Sequence, residues 1–241
     1  MKHPTPSRDE SLQLDKMKVP GSAEILDYAR RLGWRRALFR GAYVATNQVV
    51  KLSIFDCFRL RPEDINTELA KAVGGYECRF LKPDEANHLF CQLDSELATS
   101  LHEALARGDK AYVILDGERL ASIGLYAQAP SPILSDLTVH FDPPSRYMYR
   151  GYTQPAYRGQ RLHALGILRA ALDLFEIQVP QLVTVCDRTN YPATISVHRM
   201  GWQLCGALYR VGIGPWTRLG QTAAAREIGM RLQLQSPQIR D

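Results

Sequence analysis

The stretch that most constrains this chain runs from Tyr147 to Ile177. Tyr147-Met148-Tyr149-Arg150-Gly151-Tyr152-Thr153 reads as a strand and enters a turn containing Pro155, Arg158, Gly159 and Arg161. Leu162, Leu165, Leu168, Leu172, Phe175 and Val179 then recur at steps of three or four, which is one apolar face of a helix. A strand that turns into a helix N-terminus is a ready anion site: the first-turn N–H groups have no partner inside the helix, and the dipole favours negative charge there. The stretch therefore predicts a phosphate-binding turn.

The rest of the chain sets bounds on what surrounds this unit. With 241 residues, 45% hydrophobic and 23% charged, it is long enough for one large domain with an extension. No apolar run approaches the roughly 20 residues of a membrane helix, and the first residues lack the apolar stretch of a signal peptide. Five cysteines, Cys57, Cys78, Cys91, Cys186 and Cys205, form no Cys-x-x-Cys pair, which predicts buried thiols in a reducing cytoplasm. Motifs of zinc proteases, serine hydrolases and P-loop enzymes are absent from the sequence. The net charge is +5, with Arg30, Arg31, Arg35, Arg36 and Arg40 crowded together. Such a cluster is either a solvated face or a surface for an anionic partner.

In chain order, Ser22 to Leu32 predicts a helix stopped by Gly33. Strands are expected over 37–46 and 49–60, a short helix from Arg61-Pro62-Glu63-Asp64 to Gly74-Gly75, and a short strand over 76–81. Leu89, Leu93, Leu97, Leu101 and Leu105 predict one helical stretch over 83–107. Asp116-Gly117 between two apolar runs predicts a hairpin. Residues 129–146 carry four prolines and read as an irregular connection or a short extra strand. After the central unit come a strand over 181–186, a helix over 190–200, a strand over 202–213, a helix over 221–230 and a last strand over 230–235. This mixture argues an α/β or mixed α+β class, one sheet with helices on both faces.

Pro155-Ala156-Tyr157-Arg158-Gly159-Gln160-Arg161-Leu162-His163 resembles the acyl-CoA-binding motif of the GNAT superfamily of N-acyltransferases, Arg/Gln-x-x-Gly-x-Gly/Ala at a strand-to-helix turn, commonly written Pro-x-Tyr-Arg-Gly-x-Gly; Arg158 and Gly159 match the second form. Asn190, Ala193, Gly201 and Trp202 are similar, in type and spacing, to a second family feature, Asn-x-x-Ala-x(7)-Gly-Phe. The resemblance implies a single mixed, mostly antiparallel sheet flanked by helices. It places an N-terminal extension at 1–48, the acyltransferase domain at 49–213, and a tail at 214–241 completing the sheet or helix layer. It implies a cytoplasmic biosynthetic transferase without a metal, taking an acyl group from acetyl-CoA or another acyl-CoA to a primary amine of a small molecule. Tyr152 and Thr153 would border the pantetheine, and Arg158, Gly159, Gln160, Arg161, Leu162 and His163 the pyrophosphate, with Asn190 supporting from the second segment.

Three positions depart from the pattern. Arg161 and His163 stand where the family has its two small residues, and Val197 where many members have a tyrosine acid. That leaves His198 and Tyr149 as candidates for acid or base. Strand alternation puts Tyr149 on one face with Tyr147 and Thr153. Cys186 is the candidate for a covalent route. The lost glycines also admit an acyl-carrier protein or aminoacyl-tRNA as donor, or a non-catalytic acyl-CoA-binding module. Acceptor and oligomeric state are left open.

Overall fold

The computed structural model describes residues 22–71 and 75–235. It begins with two helices, α1 (Ser22–Leu32) and α2 (Trp34–Thr46), joined at Gly33, whose φ of 91° suits glycine. The second helix corrects the strand expected over 37–46. Trp34 to Ala42 is rich in Arg, Ala and Leu, good helix formers, and Ala37 and Val44 are buried two turns apart on one face. Aromatic content misled here; the one β-branched residue before Thr46 is Val44.

β1 (Lys51–Leu60) leads into a 3-10 turn at Pro62–Asp64 and the short α3 (Thr67–Ala70). Gly74 of the expected helix stop lies outside the described residues. β2 (Glu77–Phe80), α4 (Ala86–Phe90) and α5 (Ser95–Ala106) follow. The single helix expected over 83–107 is thus broken. Asp94 accepts the Leu97 N–H and restarts the helix as an N-cap in the middle of the leucine repeat. β3 (Lys110–Asp116) and β4 (Arg119–Ala127) form the expected hairpin. Residues 129–146 hold two strands, β5 (Ser131–Leu134) and β6 (Leu137–His140). Then come β7 (Arg146–Thr153), α6 (Leu162–Glu176), β8 (Leu182–Asp187), α7 (Tyr191–Arg199) and β9 (Gln203–Ile213). The chain continues through β10 (Trp216–Gln221), α8 (Ala223–Glu227) and β11 (Arg231–Leu234). β10 had no sequence counterpart among the expected elements.

The main sheet has eight strands in the order β10-β9-β1-β8-β7-β4-β3-β2, and every neighbouring pair is antiparallel except β7–β8. The class is mixed α+β, a mostly antiparallel sheet flanked by helices. α6 and α7 cover one face, where Phe58, Met148, Leu168, Cys186, Val197 and Trp202 share a core. On the other face, α4 and α5 cover β3 and β4. Beside them a second sheet, β11-β6-β5, packs with α8 on Phe55, Tyr147, Val183 and Leu208.

Two local features shape the middle of the sheet. β7 and β8 pair only at Arg146–Leu182 and Tyr147–Val183, although β7 runs on to Thr153 and β8 to Asp187. The Thr184 hydroxyl donates to the Met148 carbonyl at 2.8 Å where the ladder stops. Beyond it the strands part, and the β7 edge from Tyr149 onward faces a gap between strands. The second feature is a bulge. Tyr149 opposes Leu125 and Tyr152 opposes Ile123, so Arg150 and Gly151 together face Gly124, and Arg150 takes a φ of 48°.

Candidate functional site

The turn between β7 and α6 is built from the main chain. Pro155–Tyr157 forms a 3-10 turn, and Gly159 and Arg161 both adopt left-handed backbone, with φ of 83° and 62°. Arg161 is the N-cap of α6 but makes no side-chain cap bond, so its contribution to the helix start is its backbone shape. A non-glycine residue in that region costs about 1–2 kcal/mol. The turn therefore keeps the glycine conformation of the motif without the glycine. Alternating left- and right-handed residues at a helix start aim successive N–H groups into a concavity suited to an anion.

That concavity is present: a depression of about 330 Å3 is lined by Thr153, Tyr157, Arg158, Gly159, Arg161, Leu162 and His163. The turn is pinned from outside by two hydroxyls. Tyr157 donates to Asp116 on the β3–β4 turn at 2.9 Å, and Tyr76 donates to the Gln160 side-chain oxygen at 2.6 Å. Gln160 is thereby tied outward. Arg158 donates to the Thr153 carbonyl at 3.3 Å, closing strand end to turn. Tyr76 and Asp116 were not among the expected site residues, because each lies far from the motif along the chain.

His163 turns inward. A Cβ at Gly151 would lie 2.6 Å from its Nδ1. The ring thus occupies space that only a glycine on β7 leaves free, and it also borders an internal cavity of about 10 Å3 beside Ser122, Gly124 and Tyr126. Burial lowers its pKa, which favours the neutral imidazole. His163 also lines the depression.

The bulge re-sorts the side chains of β7. Tyr149 and Tyr152, three apart, both pack toward the α4–α5 face. The Thr153 hydroxyl meets Ser122 at 2.9 Å, and Ser122 lines the cavity beside His163 on the α6 face. The shared face expected for Tyr149 and Thr153 is therefore corrected; the extra residue reverses the alternation. The Tyr149 hydroxyl donates to Asp109 at 2.5 Å and accepts from Arg107 at 3.1 Å. Burial, then the Asp109 hydrogen bond and charge, push its pKa up.

Across the gap, Asn190 accepts the Ala193 N–H at 3.2 Å as N-cap of α7, which gives the Asn-x-x-Ala spacing a structural cause. Gly201, with a φ of 104°, lies so close under the Asp64 carbonyl that no Cβ fits, and Trp202 is 1% exposed. Val197 is core. His198 sits in the last turn of α7, exposed, its ring edge-on to Phe58 at 5.2 Å. It lies at the opposite end of α7 from Asn190, and among the described residues no hydrogen bond or ring contact joins it to Tyr149 or the turn. Cys186 is buried, its thiol pushed up to about 12 by burial and then by the Asp56 and Asp187 charges, which disfavours the thiolate a covalent route needs.

At the open end of β8 stands a residue absent from the sequence reading, Asp187. One carboxylate oxygen accepts the Thr189 N–H at 2.7 Å and the Thr189 hydroxyl at 2.5 Å; the other is buried without a hydrogen-bond partner. Burial raises its pKa. The Asp-x-Thr spacing after an apolar strand was the available signal. The N-terminal helices reach this end. Tyr28 donates to the Thr189 carbonyl at 3.0 Å, Arg36 lies 5.0 Å over the Tyr191 ring, and Arg40 4.7 Å over the Tyr28 ring. The Tyr43 hydroxyl accepts the Ile54 N–H at 3.1 Å, and Arg188 is paired to Asp56 at 2.5 Å.

Among the described residues no three His, Cys, Asp or Glu side chains gather as a metal site, and no helix is long and apolar enough to cross a membrane.

Neither a protein-family model nor a curated protein matches this chain. Among solved structures it is similar to a GCN5-related N-acetyltransferase from Kribbella flavida, at 15% identity over 80% of this chain and 77% of that one, with a TM-score of 0.47. It is similar to a functionally unknown conserved protein from Staphylococcus epidermidis at 9% identity, covering 80% of each, with a TM-score of 0.47. A Drosophila protein matches at 16% identity over 79% of this chain, which spans 58% of that protein's length, with a TM-score of 0.45. Further similar structures are described as a GCN5-related N-acetyltransferase-like protein, an acetyltransferase from the GNAT family and a tandem GNAT protein. At such identities and scores the likeness concerns overall shape, and no activity is transferred from these proteins.

Proposed function

We propose that the protein is a GNAT-type N-acyltransferase, moving an acyl group, by default acetyl from acetyl-CoA, to the primary amine of a small-molecule acceptor. The observation that carries this is the interrupted β7–β8 pair: β7 runs on beyond its last residue paired with β8 and leads into a left-handed turn at the start of α6. A pantetheine offers amides that a free strand edge can bond, and a pyrophosphate is the anion that the turn's N–H groups suit. Main-chain groups from Tyr149 to Thr153 would hold the first, and those of Gly159 to His163 the second. Arg158 and Arg161 bring cationic side chains to the same depression.

When bound, the donor supplies an activated thioester. The amine loses a proton and attacks the carbonyl; the C–N bond forms, the C–S bond breaks, and the thiolate leaves and is protonated. Tyr149 is poorly placed to give that last proton, because its own proton is held by Asp109.

The test is thermal unfolding in the presence of acetyl-CoA and free coenzyme A. A ligand at about 100 times its Kd stabilises by about 2.7 kcal/mol. At about 2–4 °C per kcal/mol for a chain of this size, the midpoint should rise by about 5–10 °C. No shift with either coenzyme form at millimolar concentration would remove the coenzyme A donor. The same assay with an acylated carrier protein or an aminoacyl-tRNA then tests the donors that the Arg161 and His163 replacements admit.

A further inference from the structure

We infer that the acceptor amine binds where β8 ends against α2, on the sheet face opposite α6, and that the Asp187 carboxylate takes its proton. The assignment rests on the acyl-transfer reading above and adds a site to it.

Sheet register places this residue. Asp187 is paired with Phe55, and Phe55 packs with Tyr147 and Val183 on the face turned away from α6. Tyr147 and Val183 are the last residues paired before β7 and β8 part. Asp187 therefore borders the gap from the β8 side, on the face opposite the depression that would hold the donor's phosphates. A thioester lying in the gap would be reached from that face.

The carboxylate is arranged to receive a cation. Thr189 fixes one oxygen with two hydrogen bonds, and the other is buried and unpartnered, although leaving a buried carboxylate oxygen unmatched is costly. An ammonium group would supply the missing donor. Burial holds the carboxyl pKa above its usual range, which strengthens it as a base near neutral pH. The charged and titratable groups around it are Arg40 and Tyr43 of α2, Asp56 of β1 with its partner Arg188, and Cys186 beside it on β8. Arg188 is committed to Asp56, and the Arg40 charge lowers the Asp187 pKa without a hydrogen bond to its free oxygen. In the reaction the bound ammonium gives one proton to the free oxygen; the neutral amine then attacks the thioester carbonyl, the C–N bond forms and the C–S bond breaks with its electron pair on sulfur, and the second N–H proton goes to the departing thiolate, leaving the amide, the thiol and a protonated Asp187 that returns its proton to water.

The experiment uses the full chain with acetyl-CoA and three probe amines, spermidine, tyramine and L-lysine amide. Thiol release is followed as a function of pH, and amine binding to the coenzyme A-loaded protein by calorimetry. Asp187→Asn is expected to lower turnover about 10²- to 10⁴-fold and to weaken amine binding at least about tenfold, while coenzyme A affinity stays the same. Arg40→Gln, which removes a positive charge beside the carboxylate, should move the acid limb of kcat/KM to higher pH in a protein that still turns over. Asp187→Asn keeping turnover within about threefold of the unsubstituted protein, with the same acid limb, overturns the assignment. So does unsubstituted protein that binds acetyl-CoA but neither binds nor acetylates any of the three amines. Protein that takes no acetyl-CoA overturns both the assignment and the acyl-transfer reading.

Discussion

Gly151 and His163 are expected to behave as one unit, and a double-mutant cycle measures it. Gly151 has no positive φ, so alanine suits its backbone and would by itself stabilise by about 0.4–1 kcal/mol through the unfolded chain. The obstacle is the His163 ring, whose Nδ1 and Nε2 would stand 2.6 and 3.3 Å from the new Cβ. The neighbouring cavity, about 10 Å3, has room for one water and not for a displaced imidazole. Overpacking of this kind costs about 1–3 kcal/mol, so Gly151→Ala should destabilise by about 1–2 kcal/mol net. His163→Ala empties the space, at about 1–3 kcal/mol for the lost packing. In the double variant the alanine Cβ enters that space, and the two costs should fall short of their sum by about 1–3 kcal/mol. Equilibrium unfolding in urea, with the slope m unchanged across the four proteins, reads the difference. Costs that add to within about 0.5 kcal/mol would show that the ring and the strand do not share this space, and the steric account of the replaced glycine would be wrong.

Arg161→Gly should change stability by less than about 1 kcal/mol, because relief of left-handed strain offsets the added unfolded-state freedom; in calorimetry, coenzyme A should bind more weakly, by a margin that shrinks with salt. Asn190→Ala should cost about 1 kcal/mol in urea unfolding, as for a lost N-cap, with coenzyme A affinity unchanged, since its side-chain oxygen is engaged by the Ala193 N–H. Asp187 has its folded pKa raised by burial, so its stabilising contribution is present below the ordinary carboxylate pKa and is lost as pH rises through the folded value. Asp187→Asn should therefore unfold at a higher relative denaturant midpoint as pH rises and be no less stable than the unsubstituted protein at pH 8; a loss of more than about 1 kcal/mol there would mark a structural carboxylate.

What was legible in the sequence was local. Turn, cap and hairpin chemistry act over a few residues, so Asp116-Gly117, Asn190 with Ala193, and the Gly159 turn stand where their spacing put them. Contacts between distant segments were not legible. β6 pairs with β11 from the far end of the chain, which is why Ile133 to Val139, seen alone, reads as an irregular connection or a short extra strand. The parting of β7 from β8 depends on where a parallel ladder stops, and neither strand's residues announce it. Asp187 is an ordinary acid in the sequence; its isolation comes from Thr189, β1 and α2 closing around it.

The bulge at Arg150 had the largest chemical consequence of these unread features. An unbroken strand would have set Tyr149 and Thr153 on one face, joining a phenol to the donor turn. With one residue added, Thr153 stays with Ser122 on the α6 side, and Tyr149 is sent to Asp109 and Arg107. There its hydroxyl donates a hydrogen bond to a carboxylate and accepts one from a guanidinium, and releasing either bond would cost about 1.5–3 kcal/mol. A phenol held in that way serves to fix the strand edge more readily than to donate a proton. In the acyl-transfer reading proposed above, proton transfer would then fall to a group with unused hydrogen-bonding capacity beside the gap. On this face Asp187, with one buried oxygen unmatched, has that capacity, whereas His198 lies at the far end of α7.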